Sequence, residues 1–383
     1  MKKGDRFAGK IQRVDFPNLG RIETPEGDKI TVKNGIPGQT VYGYIQKKRS
    51  GRLGGCILEV QEKSALETRD PLCSQFPACG GCMYQTMAYA DQLALKETQV
   101  KKLMDDAIRA AGQVDEHGNP AYVFEGIKGS PVETGYRNKM EFSFGDAEKD
   151  GPLTLGLHRK CSTYDVLSAT DCAIVHNDYN QIVNCVQTYF REHPAAFYRK
   201  MQHTGYLRHL LVRRSVKFGD IMIALVTTSQ EEHDLTPLKE ALLALPLEGQ
   251  ISGILHMIND SVADTVQSDE TRVLYGKEDF YEELLGLKFR ITPFSFFQTN
   301  SLGAEVLYET AREYMGNTKD RVVYDLYSGT GTIAQILAPV AKKVIGVEIV
   351  EEAVEAAKEN AALNGLDNCD FLAGDVLAML DEI

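Results

Sequence analysis

Along residues 4–60, short β-rich runs alternate with turn signals: "FAGKIQRVD", "LGRIETPEGDKITVKNG" and "QTVYGYIQKKRSGRLGGCILEVQ" set Val, Ile, Thr and Tyr between Pro-Glu-Gly and Lys-Asn-Gly breaks. The pattern predicts a small antiparallel, OB-like β-barrel over residues 1–62. The stretch 89–112 changes period, with Leu93, Leu95, Val100, Leu103, Met104 and Ala107 apolar and charges between them, which predicts a helix. Between about 120 and 290 the strand-like runs "YRNKMEFSFG", "TLGLHRK", "LRHLLVRRSV" and "DIMIALVTT" are interrupted by helical stretches at 176–192 and 234–245. That mixture predicts an α+β domain over 63–285. From 322, "VVYDLYSGTGTIA" reads as strand, glycine turn and helix start, and "KKVIGVEI" as a second strand. Residues 286–383 are therefore expected to form a Rossmann-like α/β domain. No internal repeat or low-complexity segment interrupts this order.

Composition adds that the chain is ordinary globular material, 383 residues with 43% hydrophobic and 25% charged, a length suited to two or three domains. The start, "MKKGDRFAGK", has no apolar run behind its lysines, and no stretch nears about 18 uninterrupted apolar residues. A cytoplasmic protein without a membrane segment is expected. The net charge of −12 conceals an asymmetry, because residues 1–60 hold twelve Lys/Arg against six Asp/Glu. A basic module on an acidic body points to local contact with a polyanion. Lys47, Lys48, Arg49 and Arg52 fall near a hairpin tip, where they either reach phosphates or simply solvate the turn.

Two stretches carry chemistry. "CSQFPACGGC" packs Cys73, Cys79 and Cys82 into ten residues, and in a reducing cytosol clustered thiols point to metal or redox chemistry before disulfides. At the glycine turn, Gly329 and Gly331 let backbone approach a ligand at a helix start, while Asp325, Glu348 and Asp375 stand at the ends of three predicted strands. Acidic strand ends suit S-adenosylmethionine: one for its cationic amino-acid end, one for the ribose hydroxyls, one for the adenine amino group. An NAD-type oxidoreductase is the alternative, since Ala334 is allowed as the third small residue of a dinucleotide fingerprint.

Together "CSQFPACGGCMYQ", "GYRNKMEFSFG", "LGLHRKC", "FRITPFSFFQTN" and "DLYSGTGTIA", in this order, resemble the bacterial RNA (uracil-5-)-methyltransferase family. The likeness is to its 23S rRNA members with an N-terminal TRAM domain and a [4Fe-4S] cluster, and it covers essentially the whole chain. It implies a monomeric enzyme acting on 23S ribosomal RNA. It also implies Cys161 as the fourth cluster thiolate beside Cys73, Cys79 and Cys82. Four-cysteine zinc is the rival metal, and Cys172 the rival fourth ligand. Cys56, Cys172, Cys185 and Cys369 are expected to be small core or near-surface residues. The S-adenosylmethionine set implied by the resemblance is Gln298, Tyr327, Glu348 and Asp375, with Gly329 and Gly331 shaping the loop. Phe296 and Phe297 are expected to face opposite ways, and Asn300 to cap a helix. Helix 89–112 is a candidate to pack on the methyltransferase domain.

The implied reaction adds a thiolate to uracil C6, lets C5 attack the sulfonium methyl, and then removes the C5 proton with a base. Such enzymes splay the target nucleotide out of its stack. Arg137, Arg208 and His209 are candidates to hold it, each weighed against ordinary ion pairs or hydrogen bonds. The chain departs from the family pattern in one respect: no segment before Ile383 matches the family's Cys-Asn-Pro nucleophile or its later Glu base. Expected from this are an incomplete sheet, no catalytic residue among these 383, and an inactive polypeptide unless more chain follows. The alternatives are a non-catalytic RNA- and cluster-binding protein and a tRNA uracil-5-methyltransferase.

Overall fold

The N-terminal runs close on themselves. In the computed structural model, which describes residues 1–263 and 265–379, β1 (Arg6–Asp15), β2 (Leu19–Glu23), β3 (Lys29–Lys33), β4 (Thr40–Arg49) and β5 (Arg52–Glu62) form a closed barrel of order β1-β2-β3-β5-β4. Alternate positions point inward, so Phe7, Ile11, Ile22, Ile30, Val32, Val41 and Ile45 fill the interior. The basic hairpin pairs Arg49 with Arg52 across Ser50 and Gly51, both left-handed, as a two-residue turn between twisted strands requires. Helix α1 (Tyr89–Ala110) lays Leu95 against the barrel core.

By compactness the described chain divides into one unit of Met1–Gly129 with Arg159–Thr163, and a second of Ser130–His158 with Tyr164 onward. The boundaries drawn at 62/63 and 285/286 fall inside these units, and α1 belongs to the first.

The second unit is organised by a seven-stranded sheet. Its strands are β6 (Lys139–Asp146), β7 (Leu153–His158), β8 (Val166–Ser168), β9 (Leu207–Arg214), β10 (Asp220–Thr227), β11 (Gln250–Ile258) and β12 (Glu270–Gly276), in the order β12-β11-β10-β9-β6-β7-β8. Helices α2 (Asn177–Glu192) and α3 (Thr236–Leu243) cover one face, where Ile182, Val186, Phe190, Leu238 and Leu242 meet Leu210, Val212 and Ile223. The opposite face, with Leu211, Met222, Ala224 and Leu255, packs against the hairpin β13 (Phe280–Leu284) and β14 (Leu287–Ile291) and against α4 (Ser301–Met315). Cover on both faces explains why β9, β10 and β11 read as nearly continuous apolar runs.

Beyond α4 come β15 (Thr318–Leu326), α5 (Thr332–Leu337), β16 (Ala341–Glu348), α6 (Glu351–Leu363), β17 (Cys369–Ala373) and the short α7 (Val376–Met379). The three strands are parallel in the order β15-β16-β17, with Asp325 level with Gly346 and Glu348 with Ala373. Among the described residues β15 is an edge strand and leaves Val322, Tyr324 and Leu326 exposed. No helix of the described residues is long and apolar enough to cross a membrane.

Candidate cofactor site

Parallel pairing brings the carboxyl ends of β15, β16 and β17 to one edge, and the glycine turn lies across them. The backbone of Ser328 donates to Val347 O at 3.0 Å, tying the turn to β16. Gly329 N–H donates to Glu348 Oε2 and Val350 N–H to Glu348 Oε1, both at 3.0 Å. Glu348 thus holds two loops with one lone pair per oxygen, and each oxygen keeps a second. Tyr327 takes a left-handed φ of 67° and exposes its ring (69%). Such a conformation is costly for a non-glycine residue and persists where the surroundings enforce it. A side chain on Gly329 would meet nothing within 4 Å, so the turn is open on that side. Gly331 differs: a Cβ there would lie 2.6 Å from Phe371 Cε1, at a φ of 73°. Inside the turn, Ser328 Oγ is buried and makes no hydrogen bond among the described residues. Asp375 Oδ1 accepts from Ala378 N–H at 3.0 Å and caps α7.

Asp325, at the end of β15, accepts from Ala334 N–H at 3.0 Å. Burial pushes its carboxyl up to about 6, only partly offset by that hydrogen bond. Tyr308 of α4 is 4% exposed, and burial raises its hydroxyl; it hydrogen-bonds Gln298 and feels the charge of Asp325. Through Tyr308 the segment before α4 meets the strand ends. Gln298 lies in an irregular stretch fixed from behind: Asn138 Nδ2 donates to Gln298 O and to Ser301 Oγ, both at 2.8 Å. The buried Glu282 accepts from Ser301 Oγ at 3.0 Å and from Val216 N–H at 2.8 Å. Phe297 packs in the core against Phe289, with ring centroids 6.0 Å apart, whereas Phe296 is exposed. Asn300 accepts from Gly303 N–H at 2.9 Å and caps α4. Asn138 stands within "GYRNKMEFSFG", where nothing marks it for this bracing role, and Glu282 and Tyr308 lie in none of the quoted motifs.

The family profile described as a methyltransferase domain matches residues 317–383, which include this turn and all three strands. Over all 383 residues the chain is 45% identical to a protein of Clostridium tetani named an uncharacterized RNA methyltransferase, covering 81% of it. A similarly named protein of Caldanaerobacter subterraneus is also 45% identical, with 82% covered. The chain belongs to the RNA methyltransferase family. Among solved structures, the Pyrococcus abyssi tRNA (uracil-54, C5)-methyltransferase in complex with S-adenosyl-L-homocysteine superposes with a TM-score of 0.70. It matches 96% of this chain and 79% of its own at 22% identity, a likeness of fold.

In this family member the cysteines are not arranged as the four-thiolate reading requires. Cys161, expected as the fourth ligand, is disulfide-bonded to Cys56, with Cα atoms 6.3 Å apart. Cys56, expected to be an unpartnered core residue, is its partner. Cys79 and Cys82 are outside any disulfide, and among the described residues no group of three or more His, Cys, Asp or Glu is disposed to hold a metal ion. As placed, these residues do not fit a [4Fe-4S] cluster. The segment carrying Cys161 nonetheless docks on the cysteine loop: Lys160 N–H donates to Ala78 O at 2.8 Å, and Arg159 bridges Cys79. Gly81 N–H points at Cys79 Sγ at 3.3 Å, and burial raises the Cys79 thiol. Cys172 lies in the middle-sheet core, and burial pushes Cys369 up to about 11, far from a reactive thiolate.

Of the residues expected to hold a splayed base, Arg208 is the most fully engaged. Arg208 donates to Asn259 O (2.8 Å), Ser261 O (2.7 Å) and Ala263 O (2.7 Å) and lies over the Tyr198 ring. Arg137 Nε donates to Lys139 O at 3.0 Å. His209 is buried, with Nδ1 3.4 Å from Ser143 Oγ. For Arg208 the bland reading prevails, because a guanidinium engaged by three carbonyls has little left to offer RNA.

Proposed function

We propose that this chain binds S-adenosylmethionine at the ends of β15, β16 and β17 and serves C5-methylation of a uridine in RNA, with 23S ribosomal RNA as the substrate. One observation carries the reading. Three parallel strands carry Asp325, Glu348 and Asp375 at or just beyond their carboxyl ends, around a glycine turn with open space over Gly329 and an unsatisfied hydroxyl at Ser328. The donor set fits a ligand with an ammonium, a ribose diol and an adenine.

When bound, the cofactor supplies an electrophilic methyl on a sulfonium. The chain's own residues hold it: Glu348 receives the ribose hydroxyls on its remaining lone pairs, and Asp375 receives the adenine amino group. Asp325, ionised at neutral pH, faces the ammonium. Tyr327, whose ring is exposed, and Gln298, from the α4 side, would contact the ligand, and Gly329 and Gly331 would let the turn approach it. No residue of this chain is assigned as nucleophile or base, and no step runs through an iron–sulfur cluster.

The basic hairpin of the barrel and the five colinear motifs support an RNA substrate of the ribosomal class. The test is calorimetric binding of S-adenosylhomocysteine with NAD as competitor, followed by mass spectrometry of 23S and tRNA transcripts incubated with S-adenosylmethionine and the protein with all its natural sequence. Saturable binding that NAD does not displace, and 5-methyluridine in the 23S transcript, are expected. Displacement by NAD would return the site to the oxidoreductase reading, and 5-methyluridine in tRNA alone would reassign the substrate.

A further inference from the structure

Strand β9 contains an arginine where a core residue belongs. Leu211 and Arg213 share a face by the period-two rule, and Leu211 packs in the apolar cluster with Phe289, Ile291 and Phe297. Arg213 is 2% exposed. Burying a guanidinium is costly unless its donors are satisfied, and here they meet backbone carbonyls: one nitrogen donates to Thr292 O, the other to Ser295 O at 2.6 Å. Burial pulls its pKa down to about 10, partly offset by Tyr179 and Glu141, so it stays charged at neutral pH.

The acceptors explain why a cation sits there. Residues 292–295 lie outside the named strands, so carbonyls turned inward there need donors from elsewhere. Thr292 and Ser295 close a compact turn on each other, Ser295 N–H donating to Thr292 Oγ1 at 3.2 Å and Thr292 N–H to Ser295 Oγ at 3.0 Å. The planar fork of an arginine reaches both carbonyls of that turn at once; an ammonium is a single point. Three residues later stands Gln298, whose own carbonyl is held by Asn138.

We propose that Arg213 is a positioning residue of the cofactor site: by clamping the turn at residues 292–295 it presets the backbone that presents Gln298. The inference rests on the reading of Gln298 as a cofactor contact. It predicts that Arg213→Lys, which keeps the charge and loses the fork, weakens S-adenosylhomocysteine binding by about tenfold or more. In a Gln298→Ala background the same change has little effect, because both act through one loop.

The experiment is calorimetric titration of S-adenosylhomocysteine into wild type, Arg213→Lys, Gln298→Ala, the double variant and Glu348→Gln, with circular dichroism to verify folding. A purely structural role lowers the melting temperature but leaves the affinity of folded protein unchanged, and that result overturns the inference. Equal losses from Arg213→Lys in both backgrounds overturn it too. Unchanged affinity in both Gln298→Ala and Glu348→Gln instead overturns the cofactor-site reading. Should Arg213→Lys fail to fold, hydrogen exchange on the wild-type chain decides. Protection of the amides of residues 294–298 before ligand is added supports a preset loop; exchange at the rate of an unstructured chain overturns it.

Discussion

At the scale of single residues, burial decides chemistry that residue type leaves open. Asp325 has its carboxyl raised to about 6 by burial. A raised carboxyl means that the native state holds the proton more tightly than the unfolded chain. Its contribution to stability is therefore present below the ordinary value of 3.8 and lost as pH rises through about 6. Asp325→Asn is expected to be more stable than wild type at pH 7, by on the order of 2 kcal/mol, and to converge with it below pH 4 in urea unfolding. Wild type the more stable at pH 7 would contradict this. Protonation also removes the charge facing the ligand ammonium, so S-adenosylhomocysteine affinity is expected to fall as pH drops below about 6 in wild type and to stay flat in Asp325→Asn. The thiols give a second case. Protein purified without reductant and alkylated is expected to carry label on Cys73, Cys79, Cys82, Cys172, Cys185 and Cys369, and to yield a cross-linked Cys56–Cys161 peptide. Label on Cys161 would restore it as a candidate fourth ligand. Nothing in "GLHRKCS" could reveal this pairing, since Cys56 stands 105 residues earlier on a barrel strand.

At the scale of elements, period and turn chemistry were legible. The helix expected over 89–112 spans Tyr89–Ala110, and the stretch 176–192 forms α2 over Asn177–Glu192. Both elements have strong periodicity, whereas the helix expected over 234–245 is shorter, Thr236–Leu243, starting with Pro237 at its first turn. The glycine turn was legible too, but its two glycines have different duties. Gly329→Ala meets open space and bears only the strain of its left-handed φ of 55°. Gly331→Ala adds a clash with Phe371, so it is expected to destabilise the protein by roughly 1–3 kcal/mol more than Gly329→Ala, measured by denaturant unfolding. Equal losses would mean that the Phe371 ring yields freely. Not legible was the bracing of the Gln298 segment, because Asn138, Arg213 and Glu282 are far apart in sequence.

At the scale of the molecule, charge is divided as the sequence indicated, with the basic excess on a barrel whose β4–β5 tip exposes Lys47, Lys48, Arg49 and Arg52. If this tip engages phosphates, replacing the four by Glu weakens RNA binding at low salt and shallows the slope of log affinity against log salt by about one for each phosphate no longer neutralised. The S-adenosylhomocysteine affinity is expected to stay as in wild type, which filter binding and calorimetry would separate. An unchanged salt slope assigns the tip to solvation alone. What the sequence determined by itself is local or colinear: the barrel runs, the βαβ unit with its acidic strand ends, and the motif order that points to the family. Those signals survive because period, turn residues and short spacings are properties of neighbouring residues. Only the tertiary structure decided that Cys161 bonds Cys56, that Arg208 is engaged by the carbonyls of residues 259–263, and that Arg213 is buried under the Gln298 segment. The physical reason is common to all three. A thiol or a guanidinium has several possible partners, and which one it meets is fixed by packing between distant strands and loops.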